Sequence, residues 1–131
     1  MVLLHGIARK TISFLGYILG LFIGPFPLTV VDGDTVKIQA IGERLRLESI
    51  DAPERGHRAD CPSEAVLAEQ ATQRLVEIVN AGVRVIYTGE RGGWGRPLIH
   101  LRTLDGQAVG EILVTEGLAV PWAGKRHEWY D

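Results

Sequence analysis

Four carboxylates mark two places where strand-like sequence is interrupted. Asp32 and Asp34 flank one glycine in the stretch TVVDGDTVKI, and Asp51 and Glu54 lie in IDAPE, where a second strand-like stretch ends. Taken singly, each acid is typical of a turn or an exposed loop. If the strand ends bring the four together, their charges repel unless they share a proton or a cation. Oxygen ligands of this kind suit Ca²⁺ or Mg²⁺ rather than zinc.

Two arginines could supply the opposite charge. Arg46 lies on the strand-like stretch that runs into IDAPE, and Arg96 ends the stretch GGWGR. The simpler interpretations are an exposed strand pair with Glu48 and a solvated loop cation. Guanidinium groups, however, favour planar bidentate contacts with phosphate. Facing a metal-bound carboxylate cluster, the two would form an electrostatic clamp for a phosphodiester.

The charge balance limits how the chain could hold a polyanion. Its 131 residues, 46% hydrophobic and 23% charged, predict one globular domain. The formal net charge is −2, and without Arg9 and Lys10 the rest has 12 basic and 16 acidic groups, or −4. A phosphate site must therefore be a local group of arginines, helped by a cation. Cys61 is the single cysteine, so no intrachain disulfide forms, and with His57 it falls short of a zinc site.

The first 28 residues differ in composition from the rest. Two positive charges precede an uncharged apolar run of 18 residues, from Thr11 to Leu28. That length is close to the lower limit for a membrane span, about 17 residues. We expect residues 1–28 to be an uncleaved membrane anchor or a signal segment, with a monomeric domain on the extracytoplasmic side, anchored or secreted. A buried hairpin of the domain itself is the alternative.

Short strands and two helices must position the charged side chains. The stretches TVVDGDTVKIQA, ERLRLESI, VRVIYTGE and PLIHLRTL alternate or are β-branched, which predicts strands. CPSEAVLAEQATQRLVEIVNAG repeats apolar residues at helical spacing, with Pro62 in the first turn and Gly82 as a C-terminal cap. VGEILVTEG predicts a second, short helix. This order favours a small β-barrel with helices, α+β by content, over a parallel βαβ sheet.

Four motifs together resemble one known family. VVDGDTVKI, RLRLESIDAPE, GWGR and GEILVTEGLA occur in the order and at the spacing found in the staphylococcal nuclease (thermonuclease) family, over roughly residues 29–122. The resemblance implies a five-stranded OB-fold barrel with three helices. It also implies a Ca²⁺-dependent nuclease, an endonuclease that hydrolyses phosphodiesters of single-stranded DNA or RNA.

The resemblance further implies which residues hold the metal. Asp34 and Asp51 match the carboxylates that bind calcium directly. The backbone carbonyl of Ala52 matches a further ligand, and Asp32 matches a supporting acid that does not itself bind the ion. The metal set implied by the family is thus made of oxygen atoms only.

Four other positions match residues that the family uses on the substrate. Glu54 matches the glutamate that positions or deprotonates the attacking water. Arg46 and Arg96 match the two arginines that contact the phosphate, where they would stabilise a phosphorane-like transition state. Trp94 falls where an aromatic residue lies near the nucleotide and could stack on a base. The alternative for Trp94 is a hydrophobic lid on the barrel.

The chain departs from the family at both ends of the domain, which we place at residues 29–122. Only residues 29–31 clearly precede Asp32, so the first strand is short. The tail, residues 123–131, leaves the family's third helix shortened or missing. A non-catalytic OB-fold module that binds single strands is the main alternative function, and a structural membrane-associated protein is a third. Neither alternative gives the clustered acids a role.

Overall fold

The computed structural model describes residues 21–22 and 27–129, so most of the predicted anchor segment lies outside the described residues. The strands are β1 (Leu21–Phe22), β2 (Leu28–Asp32), β3 (Thr35–Ile38), β4 (Glu43–Leu47), β5 (Ile50–Asp51), β6 (Val83–Arg91), β7 (Pro97–Thr103) and β8 (Val120–Pro121). The helices are α1 (Pro62–Asn80) and α2 (Val109–Thr115). Among the described residues, no helix has the length and apolar character needed to cross a membrane.

One mixed sheet contains most of the strands. Its order is β1-β6-β7-β4-β3-β2, and β5 pairs with β8 in a separate ladder. β2, β3 and β4 form an antiparallel meander, whereas β4 and β7 run parallel with Arg46 opposite Leu98. Apart from the two residues of β1, the sheet has the five strands that an OB-type domain requires, as predicted. The parallel pair brings the two halves of the chain together beside Arg46.

Two residues of the predicted anchor segment pair with this sheet. Leu21 lies opposite Ile86 and Phe22 opposite Val85, in antiparallel register with β6.

The core lies where the sheet packs against α1. On β4, Leu45 and Leu47 are buried and Arg44 is exposed, which is the predicted alternation. On α1, Ala71 and Leu75 are fully buried at helical spacing. Each fully buried leucine contributes about 1.5–3 kcal/mol relative to an exposed one. The core therefore fixes α1 across the meander that carries the candidate site.

The helix ends follow the predicted signals. Pro62 occupies the first turn of α1, and Gly82, with φ of 102°, follows its end. Gly117, with φ of 76°, follows α2 in the same way. In the described part of the chain no helix follows α2. The expected loss or shortening of the C-terminal helix is thus borne out as far as residue 129, where a non-helical tail takes its place.

Candidate active site

The turn between β2 and β3 holds the first two acids. Asp34 donates its backbone N–H to Oδ1 of Asp32 at 3.1 Å, a side-chain turn typical of aspartate. A Cβ atom on Gly33 would lie 2.8 Å from the Cβ of Ala52 and 2.9 Å from the Cβ of Ala71. Glycine is required here because the loop after β5 and the helix α1 approach the turn so closely.

The carboxylate of Asp34 joins this turn to the loop after β5. Asp34 is 6% exposed and Asp51 is 5% exposed. Oδ2 of Asp34 accepts the N–H of Ala52 at 2.8 Å, and its Oδ1 accepts the hydroxyl of Thr35 at 2.9 Å. Oδ2 of Asp51 accepts the backbone N–H of His127 at 2.7 Å. Both predicted calcium ligands are thus buried and oriented by hydrogen bonds, and each carboxylate keeps lone pairs that these bonds do not use.

Arg46 lies between these two carboxylates. Its Nη1 is 3.6 Å from Oδ2 of Asp34, and its Nη2 is 3.9 Å from Oδ1 of Asp51. Nη1 also donates to the backbone carbonyls of Leu47 and Ile50, at 2.5 and 2.8 Å. The side chain is only 12% exposed, so the interpretation of Arg46 as an exposed strand residue is wrong. Its guanidinium is held in place before any substrate arrives.

Glu54 lies at the open side of the same group. Its side chain is 28% exposed, and its Oε1 is 3.9 Å from Nη1 of Arg58. Burial, and next the charge of Asp34, raise its pKa above the ordinary glutamate value. A half-buried carboxylate with a raised pKa is a better general base than a solvated one.

The four acids of the site outnumber the three arginines near them, Arg46, Arg58 and Arg126. Burial raises the pKa of Asp32 to about 7, and the neighbouring charge of Asp34 adds to this shift. Burial also raises the pKa of Asp51, and the N–H of His127 only partly opposes that shift. An added positive charge would stabilise the ionised forms of these acids, because ionisation of a buried carboxyl is unfavourable without a nearby cation.

The oxygen donors at the site are of the chemical type that a hard cation prefers. The carboxylates of Asp34 and Asp51 and the carbonyl of Ala52 are all oxygen donors, which suits Ca²⁺ rather than zinc. Within the described ranges, no three side chains of His, Cys, Asp or Glu are arranged as a ready-made metal site. Two carboxylates and a carbonyl supply only part of a coordination shell, so water would have to provide the remaining ligands, as oxygen-ligated cations allow.

The remaining predicted residues lie in a neighbouring cleft. Trp94 is 96% exposed, which rules out a lid on the barrel. Arg96 donates its Nε–H to the carbonyl of Gly93 at 3.0 Å. Both line a cleft of about 450 Å³ to which Arg58 also belongs. The structure thus brings Asp32, Asp34, Arg46, Asp51 and Glu54 together and places Arg96 beside that group, joined to it through Arg58.

Sequence reasoning missed the support beneath this site. Glu64 is 0% exposed. Its carboxylate accepts the N–H of Glu54 at 2.7 Å, the N–H of Asp60 at 2.7 Å, and Nη2 of Arg126 at 2.5 Å. Burial opposes its ionisation, but those two N–H groups and the arginine prevail and lower its pKa. A glutamate in the first turn of α1 was the available signal, since such residues reach back to free N–H groups.

The tail, together with Trp122 just before it, also covers the site. Arg126 contacts Oδ2 of Asp60 at 3.2 Å in addition to Glu64. The ring of Trp122 lies 5.6 Å from the guanidinium carbon of Arg46, within cation–π range. The tail thus stabilises Arg46, Asp51 and the loop that carries Glu54.

A mixed five-stranded sheet with a helix across it defines an OB-type domain, and an acid–arginine cluster lies at its strand ends. A family model described as staphylococcal nuclease homologue matches residues 44–129, well over half of the chain. The chain belongs to that family. The match includes Arg46, Asp51, Glu54 and Arg96 and begins after Asp34, which the fold brings to the same place. No curated protein matches the chain significantly.

Proposed function

We propose that this chain is a Ca²⁺-dependent nuclease that hydrolyses phosphodiester bonds in single-stranded DNA or RNA. Membership of the staphylococcal nuclease family supports nucleic acid as the ligand. The observation that carries the proposal is the convergence of Asp34, Arg46, Asp51 and Glu54, with Arg46 held between two buried carboxylates. A protein that only binds phosphates has no need of acids on the face that meets them.

Each residue has a distinct role in the proposed reaction. Asp34, Asp51 and the carbonyl of Ala52 would hold the cation, and Asp32 would fix the turn through its bond to the N–H of Asp34. Bound Ca²⁺ supplies positive charge that lets a phosphate approach these acids. Arg46 and Arg96 bind the non-bridging phosphate oxygens.

Glu54 accepts a proton from the attacking water. As the new phosphorus–oxygen bond forms, the bond to the leaving oxygen on the opposite side breaks, and that oxygen takes a proton from solvent. Negative charge grows on the equatorial oxygens, where the preorganised guanidinium of Arg46 stabilises it. The raised pKa of Glu54 favours this role, because a base is most effective near the working pH.

The test compares the wild type with Glu54→Gln on labelled single-stranded DNA and RNA, with Ca²⁺ and with chelator. Loss of a general base costs about 10²–10⁴ in rate. Glu111→Gln, an exposed acid on α2, is the matched control and keeps the wild-type rate. Ca²⁺ binding followed by calorimetry gives a second readout, which Asp51→Asn should abolish. Cleavage that survives in Glu54→Gln would remove Glu54 from the mechanism.

The second candidate is a single-strand binding module without catalysis. The exposed ring of Trp94 favours it, because sequence-tolerant binding relies on such stacking surfaces. Tight binding with no cleavage in any divalent cation would establish this function and refute the hydrolase.

The proposed location is extracytoplasmic, through residues 1–28 as an anchor or signal segment, and the proposed state is a monomer. Protease added to intact cells should digest the domain if this placement is right. Full protection until lysis would contradict it. Light scattering of the purified chain gives the oligomeric state.

A further inference from the structure

The cleft beside the acid cluster is rich in positive charge. Its volume is about 450 Å³. Its charged and aromatic lining residues are Glu43, Arg44, Arg58, Trp94 and Arg96. Three guanidinium groups thus face one carboxylate, on a domain whose net charge is negative. Such a local excess of arginine suits a phosphate-bearing ligand.

Two of these arginines have no acidic partner. Among residues 27–129, neither Arg44 nor Arg96 forms an ion pair, whereas Arg55, Arg74 and Arg126 all do. Guanidinium groups without a carboxylate, gathered in one cleft, are available to a ligand. Arg58, the third arginine of the cleft, lies 3.9 Å from Glu54, and its side chain is 65% exposed and so remains accessible to a ligand.

Trp94 has an unfavourable backbone conformation. Its φ is 64°, and it is the single residue other than glycine with positive φ in the described part of the chain. The left-handed region is sterically unfavourable for a residue that carries a side chain. With its side chain 96% exposed, little burial offsets that cost. The loop is closed by Gly92 N–H to Arg96 O at 2.8 Å and by Arg91 Nη1 to Gly95 O at 2.7 Å.

The cleft is continuous with the acid cluster. Nη1 of Arg58, in the cleft, is 3.9 Å from Oε1 of Glu54. Arg44 lies two residues before Arg46 on β4, so their side chains leave the same face of the strand, about 6.6 Å apart along it. That separation is close to one nucleotide of an extended strand. When one phosphate of a strand lies at Arg46, the next phosphate of that strand is therefore within reach of Arg44.

We propose that this cleft binds the unpaired nucleotide next to the scissile phosphate, with Arg44 and Arg58 on its phosphate and the ring of Trp94 stacked on its base. The inference rests on the proposed nuclease function for the position of the scissile phosphate. It adds a binding site for a second nucleotide, formed by Arg44 and Arg58.

The test measures binding of a fluorescent ten-nucleotide single strand by anisotropy, in Glu54→Gln protein so that the strand stays intact. Arg44→Ala should weaken binding about 10-fold, and Trp94→Ala about 5- to 100-fold. The slope of log affinity against log salt should fall by about 0.7 in Arg44→Ala, the value for one lost phosphate contact on a single strand. Arg102→Ala, an exposed arginine on β7, is the matched control and should leave affinity and slope unchanged.

The two proposals fail in different ways. With active protein, the ratio of KM for a dinucleotide to KM for the ten-nucleotide strand should fall in Arg44→Ala and stay constant in Arg102→Ala. Cleavage with an unchanged ratio and unchanged salt slope would overturn the cleft proposal and leave the nuclease standing. Arg44-dependent binding without any cleavage would support the cleft and refute the hydrolase. Equal losses of affinity in Arg44→Ala and Arg102→Ala would show that only the overall charge matters, and this result would also overturn the cleft proposal.

Discussion

Replacing Arg126 with alanine removes a cation that contacts the fully buried carboxylate of Glu64. Glu64 is 0% exposed and would keep its bonds to the N–H groups of Glu54 and Asp60. A hydrogen bond to a charged group contributes about 1.5–3 kcal/mol, and the lower half of that range applies because the arginine side chain is 36% exposed. We expect a loss of about 2 kcal/mol. For a domain of this size that corresponds to a fall in Tm of about 10 °C.

The assay is thermal unfolding followed by circular dichroism, with Arg74→Ala as the matched control. Arg74 is also 36% exposed and also pairs with a glutamate, but that partner, Glu116, is 37% exposed. The two variants therefore differ mainly in the burial of the carboxylate that loses its partner. Arg74→Ala should lower Tm much less, because exposed pairs contribute little.

The pH dependence provides a second check. The pKa of Glu64 is lowered in the folded protein, so its contribution is present above the unfolded value and is lost as pH falls through the folded value. The difference between wild type and Arg126→Ala should therefore shrink in acid. Equal Tm changes in Arg126→Ala and Arg74→Ala at neutral pH would refute the reasoning.

Three shorter predictions follow from the turn and the arginine of the site. Asp32→Asn should raise Tm by about 5 °C at pH 8 in chelator and leave Tm unchanged at pH 4. The pKa of Asp32 is about 7 in the folded protein, so the folded state favours the neutral carboxyl and becomes less stable as pH rises. A lower Tm of the variant at pH 8 would contradict this. Gly33→Ala should cost about 1–3 kcal/mol in urea unfolding, because its Cβ would press on Ala52 and Ala71; wild-type stability would contradict the close approach. Arg46→Lys should lower kcat about 10²-fold or more, because lysine keeps the charge but loses the planar fork; a wild-type kcat would exclude Arg46 from the transition state.

The acid cluster could be predicted because each part of it has a local signal. Asp32 and Asp34 bracket a glycine, and Asp51 closes a short strand before a proline. The reason for Gly33 could not be predicted in the same way. The sequence indicates a turn at these acids, and the structure shows in addition the close approach of Ala71, a residue from the middle of α1. Contacts between elements distant in sequence leave no periodic pattern.

The orientation of Arg46 illustrates a related limit. Strand alternation places Arg46 and Glu48 on one face, and this suggested an exposed pair. In the structure Oε1 of Glu48 lies 3.1 Å from Nε2 of His100 instead. The guanidinium of Arg46 turns toward backbone carbonyls at the β4–β5 connection. Strand alternation determines the face from which a side chain leaves the backbone. The position of the charged group of a long side chain depends on its hydrogen-bond partners.

The tail was the part of the site least accessible from sequence. Arg126 follows Glu64 by 62 residues, and its stretch has no helical or strand period. The sequence predicts that the family's third helix is shortened or missing, and it indicates nothing that would take the place of that helix. The structure shows a different solution, in which an irregular segment places one arginine on a buried acid and one backbone N–H on Asp51.

Positive and negative groups are separated along the path that a nucleic acid would follow. The inner group has more acids than cations, and the pKa values of Asp51 and Glu54 are raised by burial. The outer cleft has three arginines and one acid. Because the domain as a whole is acidic, we propose that a polyanion is attracted at the cleft and meets repulsion at the acids until a cation neutralises them. Binding should therefore depend on salt and on Arg44 even in chelator, whereas hydrolysis should depend on the cation. This separation explains how an acidic domain could act on a polyanion.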